Sequence, residues 1–156
     1  MYENEKIPME LAEIRVKIYK YCAYQDRCRQ EIEQKFRDLE VPEQEWEDLL
    51  AHLEAERFWD EGRFAESFVG GKFRVKKWGK QKIRHELRAK GIPGYLIELA
   101  IRREIPEEAY RQTAQGLVEK KRKELGEELT YENRGKIYRF MQQKGYENEV
   151  IRSLLT

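Results

Sequence analysis

Apolar positions along this chain form a phrase that is written three times. Ile32, Phe36, Val41, Trp46 and Leu50 recur as Ile83, Leu87, Ile92, Ile97 and Ile101, and again as Ile137, Met141, Tyr146, Ile151 and Leu155. The phrase needs no internal gap in any copy. Self-similarity at a fixed interval of this length predicts a tandem helical array, in which each unit buries its apolar face against its own helices and its neighbours. The fold class expected is all-α, with three tandem three-helix repeats forming an elongated, curved array. An N-terminal tail is expected over residues 1–9, with the repeats over 10–58, 59–104 and 105–156.

Within the first repeat, Leu11, Ile14, Ile18 and Tyr21 or Cys22 step at three or four residues and define one helical stripe. Asp26 is placed to cap a second helix carrying Ile32 and Phe36. Pro42 stands where a third helix begins, with Glu43 and Glu45 at the positive end of its dipole and Trp46, Leu49, Leu50 and Leu53 facing inward. In the second repeat, Asp60 is a cap, and Phe64, Ala65, Phe68 and Val69 form the stripe. Gly70 and Gly71 either weaken that helix in its middle or loosen its packing, at about 1 kcal/mol each relative to alanine where they are helical. Gly79 precedes the next helix, Gly91 ends it in a left-handed stop, and Pro93 repeats the place of Pro42. Gly145 repeats Gly91. The third repeat starts after Pro106, with a stripe of Tyr110, Ala114, Leu117 and Val118. Residues 124–133 are polar and read as a longer connection. No sustained period-two alternation suggests a strand.

Composition changes this picture only in part. Of 156 residues, 39% are charged, but 40% are hydrophobic and 12% aromatic. Apolar residues at helical spacing therefore outweigh the charge as a sign of disorder. No apolar run is long enough for a membrane span, and the acidic start MYENEKIPME has no apolar signal core, so a cytoplasmic chain is expected. Cys22 and Cys28 are expected to be reduced, partly buried thiols. A monomer is expected.

The net charge of +1 conceals a split. Residues 40–61 hold nine acids against one base, Arg57, whereas residues 72–90 hold nine bases against one acid, Glu86. The basic run, Lys72, Arg74, Lys76, Lys77, Lys80, Lys82, Arg84, Arg88 and Lys90, is the candidate binding site for DNA or a partner protein. Lys80, Arg84 and Arg88 are spaced at four and share a helix face, where their mutual repulsion would be relieved by a polyanion. Phe73 and Trp78 interleave the cations, available either to stack on bases or to fill the core. A solvated face balanced by the acidic segment is the plainer alternative.

The remaining aromatics, Tyr19, Tyr21, Tyr24, Trp46, Phe58, Trp59, Phe64 and Phe68, fall mostly at helical spacing and read as core. His52 and His85 have no partner at metal-ligand spacing, and Cys22 and Cys28 do not form a zinc knuckle. There is no glycine-rich phosphate loop and no nucleophile elbow, so no catalytic residue, metal or cofactor is expected. A helix-turn-helix, with residues 83–90 supporting and 93–103 reading DNA, is disfavoured because Tyr95, Leu96, Ile97, Leu99, Ala100 and Ile101 are too apolar to read base edges.

The stretch FWDEGRFAESFVGGKFRVKKWGKQKIRHELRAKGI (residues 58–92) resembles the signature of the RecX family, regulators of the recombinase RecA. YCAYQDRCRQEIEQKF in the first repeat and YRFMQQKGYENEVIRSLL in the third fit the same pattern, so the resemblance spans residues 14–155. It implies a non-enzymatic protein of tandem three-helix repeats that lies in the groove of the RecA–DNA filament and inhibits it. Asp60, Phe64, Ala65, Phe68, Leu87 and Ile92 would then be structural and the basic run the contact surface, with RecA and single- or double-stranded DNA as partners. The acidic segment departs from the family's usual basic character and shifts weight from free DNA toward protein contacts. Two other functions remain open: a nonspecific nucleic-acid-binding helical protein without a recombinase partner, and an adaptor that binds only proteins.

Overall fold

The computed structural model describes residues 10–156; the expected tail over residues 1–9 lies outside them. Among the described residues all regular structure is helical: α1 (Leu11–Tyr24), α2 (Arg29–Asp38), α3 (Trp46–Ala55), α4 (Glu61–Arg74), α5 (Lys80–Ala89), α6 (Gly94–Glu104), α7 (Glu107–Glu124), α8 (Tyr131–Lys144) and α9 (Asn148–Leu154), with a 3-10 turn, Glu43–Glu45, leading into α3. Fourteen of the fifteen phrase residues are buried; Trp46 is half-buried, its indole N–H donating to the Val41 carbonyl at 3.0 Å. Each fully buried side chain of this size contributes about 1.5–3 kcal/mol.

The phrase also repeats in its backbone. Val41, Ile92 and Tyr146 each donate an N–H to the carbonyl five residues back, Phe36, Leu87 and Met141 respectively. The residue before each of them is left-handed: Glu40 (φ 56°), Gly91 (φ 79°) and Gly145 (φ 100°). These bonds satisfy carbonyls that a helix end leaves orphaned, and they turn the chain so that the next apolar residue covers the core. Pro42, Pro93 and Glu147 then stand at the N-cap of the following helical segment.

The chain divides into two compact units, one ending at Phe64 and the other beginning at Ala65, with the division inside α4. In the first unit, Ile14, Ile18, Cys22, Ile32, Phe36, Val41, Leu49, Leu50 and Leu53 form one core, covered by Tyr19, Tyr21, Leu39, Trp46, Phe58 and Trp59. The second unit contains α5 packed on α6 and the mutually packed α7, α8 and α9.

Four sequence expectations change. Leu11 is exposed at the solvent-facing start of α1. Tyr24, the last residue of α1, is 84% exposed and not a core residue. The N-cap of α2 is Cys28, not Asp26; Asp26 instead accepts a hydrogen bond from the Arg63 guanidinium. The orphan N–H of Arg29 at the start of α2 is satisfied from elsewhere, by the Glu61 carboxylate at 3.2 Å. Finally, residues 131–133 are helical, since Thr130 caps α8 by accepting from the Asn133 N–H at 3.1 Å. The Asp60 cap is present, accepting from the Arg63 N–H at 2.9 Å.

Candidate functional site

The basic run occupies the end of α4, the turn over residues 75–79, and α5. Its cations divide by what they touch. Arg74 lies along Gly70 and pairs with Glu104 at 3.1 Å. Lys80 is only 13% exposed, pairs with Glu107 at 3.1 Å and sits 4.5 Å from the Tyr110 ring centre. Arg84 makes a two-pronged contact with Glu98, at 2.7 and 3.2 Å. That hydrogen-bonded pair holds the Arg84 guanidinium above its usual range and the Glu98 carboxyl below its own. The repulsion expected among Lys80, Arg84 and Arg88 is therefore offset inside the fold, by acids of α6 and α7.

Aromatic rings hold three further cations. Lys72 and Lys82 lie 4.9 and 4.3 Å from the Trp78 ring, Lys72 also lies 5.4 Å from Phe68, and Lys90 lies 5.9 Å from Phe68. Trp78 packs edge-on against Phe68 at 6.3 Å. Its ring is thus partnered by the protein's own ammonium groups. Phe73 is a core residue, packed edge-on against Tyr110 at 6.1 Å. Lys76, Lys77 and Arg88 remain exposed, and no carboxylate among the described residues forms an ion pair with them.

The 75–79 turn is fixed by the third repeat. Gly79 donates its N–H to the Lys144 carbonyl at 2.7 Å, and Gln81 donates to the Gly145 carbonyl at 2.9 Å. A Cβ on Gly79 would overlap the Gly145 backbone, and one on Gly145 would overlap Lys82, so this crossing demands glycine on both sides. Tyr146 Oη donates to the Lys77 carbonyl at 2.8 Å and Lys144 Nζ to the Lys76 carbonyl at 3.1 Å. Tyr110 Oη accepts the Lys80 N–H and donates to Glu147 at 2.6 Å, and its ring stacks on Tyr146 at 5.1 Å. Burial, reinforced by the Glu147 carboxylate, pushes both phenols far above their usual range.

This docking sets Lys76 and Lys77 at the rim of a cleft of about 680 Å³ whose other walls are α7 and α8. Lys120, Lys121 and Lys144 join them there, over a floor that includes Val75, Leu117 and Phe140. The sequence reading missed the three lysines from the third repeat. The run EKKRKE (residues 119–124) was the signal available for two of them, Lys144 lying apart in α8, but only packing shows which cations share a cleft with residue 76.

No cluster of three histidine, cysteine or acidic residues suited to a metal occurs among the described residues. His85 is exposed, and His52 Nδ1 lies 2.7 Å from the Asp48 carbonyl. Cys22 and Cys28 are buried free thiols, and burial pushes Cys22 up to about 11, away from the reactive thiolate. Among the described residues no helix is long and apolar enough to cross a membrane.

Comparison with known proteins decides the family. The second three-helix domain of RecX matches residues 60–101, and the third matches residues 108–155. A regulatory protein RecX of Herbaspirillum seropedicae is 30% identical over 146 residues, covering 94% of this chain and 91% of that protein. The chain belongs to the RecX family. Regulatory protein RecX of Bacillus mycoides is 30% identical over 135 residues, which make up 86% of this chain. The chain spans about half the length of such Bacillus relatives. The crystal structure of RecX from Lactobacillus salivarius superposes with a TM-score of 0.79 at 25% identity, covering 93% of this chain and 96% of that one. RecX membership thus agrees with the three-helix units read from the apolar phrase, and the relatives' names describe a regulatory protein.

Proposed function

We propose that this RecX-family protein is a non-enzymatic, cytoplasmic regulator that binds the filament a RecA recombinase forms on DNA and inhibits it. The observation that carries this reading is the match to a regulatory RecX over nearly the full length of both chains. The surface proposed to meet the filament is the basic run, narrowed by its pairing. Lys76, Lys77 and Arg88 are the outward contacts, Lys82 and Lys90 secondary ones, and Arg74, Lys80 and Arg84 hold the scaffold. The mechanism is mechanical: a body fixed across neighbouring recombinase subunits opposes the rearrangements that nucleotide turnover and strand exchange require.

The test is steady-state ATP hydrolysis by a RecA recombinase on single-stranded DNA, with the protein titrated in at constant salt. Inhibition is expected, and Lys76→Gln/Lys77→Gln/Arg88→Gln should need about tenfold more protein for the same effect, since each exposed contact contributes up to about 1 kcal/mol. Unchanged hydrolysis across the titration defeats the proposal. Equal inhibition by parent and triple variant defeats the surface assignment alone.

A further inference from the structure

The cleft between the 75–79 turn, α7 and α8 combines two properties. Five lysines line it against one carboxylate, Glu124, which is itself 3.5 Å from Lys121. Its lining mixes polar groups, Gln112 and Thr113 among them, with one strongly exposed aliphatic side chain, Val75, which is 76% exposed; Ala109 is half-buried and Leu117 nearly buried. An exposed valine amid ammonium groups gains nothing from water, but would gain from an apolar side chain laid on it. Single-stranded nucleic acid needs successive aromatic platforms for its bases. Here the one ring is Phe140, and Lys121 Nζ already sits 5.0 Å from its centre. The volume is in the range of built ligand sites.

We infer that this cleft docks an acidic polypeptide segment that carries an apolar anchor: carboxylates meet the lysine rim and the anchor covers Val75. The inference rests on the proposed function only in placing such a segment on the filament; the docking itself requires neither recombinase nor DNA. Rigid support for the rim is already present, because the Lys76 and Lys77 carbonyls are held by Lys144 and Tyr146. The backbone of the rim is thus ordered before any partner arrives, and preorganisation of this kind favours affinity.

The experiment uses fluorescence anisotropy of a short labelled peptide of glutamates and aspartates around one leucine, a twin with serine for leucine, and an oligodeoxythymidine of similar length as competitor. The leucine peptide should saturate the full chain. The serine twin, and Val75→Ser against the leucine peptide, should each bind about tenfold more weakly, the effect of losing one buried aliphatic contact. Lys77→Gln/Lys120→Gln should weaken binding several-fold at low salt and less at high salt. Gly116→Leu fills the cleft from an exposed helical position whose Cβ would meet nothing within 4 Å, and should abolish binding with helicity intact. Affinity indifferent to the leucine, to Val75 and to Gly116 overturns the inference, as does displacement by the oligonucleotide at equal concentration. Because no recombinase is present, these outcomes are independent of the ATP hydrolysis test.

Discussion

At the scale of single residues, one backbone position carries opposite chemistry in different repeats. Glu40, Gly91 and Gly145 all turn the chain through the left-handed region. A side chain there costs about 1 kcal/mol, which glycine avoids. Glu40→Gly should therefore stabilise the protein by up to about 1 kcal/mol, read as a rise in urea midpoint without a change in slope. Gly145→Ala should do the reverse, and more severely. Its Cβ would be forced into the left-handed region and into Lys82, so a loss of about 3 kcal/mol or more is expected. A Gly145→Ala midpoint within experimental error of the parent would show that the crossing with Gly79 can yield, and that the backbone at Lys76 and Lys77 is not firmly held.

Among the elements, α2 is completed by a residue from another helix. Glu61, in the first turn of α4, accepts the Arg29 N–H at the start of α2, and Arg29 pairs in turn with Glu33 at 2.7 Å and with Glu47. Burial pushes the Glu61 carboxyl above the usual carboxylate range, and the Arg29 N–H, Trp59 and the Arg29 charge recover only part of that. The folded state thus binds this proton more tightly than the unfolded chain. The contribution of Glu61 is most favourable at pH below its unfolded pKa and declines as pH rises through the raised folded value. Glu61→Gln keeps an acceptor for Arg29 and removes the titration. The parent's urea midpoint, taken relative to that of Glu61→Gln, should fall as pH rises from about 4 to 7. A constant difference would mean that Glu61 titrates as it does in the unfolded chain.

For the molecule as a whole, internal pairing limits how much of the basic charge can serve a partner. Nine cations between residues 72 and 90 would give a slope of about −6 for log affinity against log salt on single-stranded DNA if each neutralised one phosphate. Arg74, Lys80 and Arg84 are already paired with Glu104, Glu107 and Glu98. A slope no steeper than about −4 is expected for binding to bare single strands. A slope near −6 would mean that these pairs open on binding and that the whole run meets phosphate.

The linear pattern alone determined the helical class and the order of the helices, through the apolar phrase and the stripe that precedes each copy, and the turns at Gly91 and Gly145, because these follow from side-chain period and local backbone freedom. Residues 131–133 escaped it, since their polarity resembles a loop until the Thr130 cap is seen to start α8 early. Which cations are spent inside the protein could not be read the same way. Arg84 meets Glu98 and Lys80 meets Glu107 across intervals with no fixed period, set by how α5 lies on α6 and α7. The lysine cleft is likewise a product of tertiary structure: residues 76, 77, 120, 121 and 144 converge only because two glycines let one backbone cross another, and long-range contact of that kind leaves no local mark in the chain.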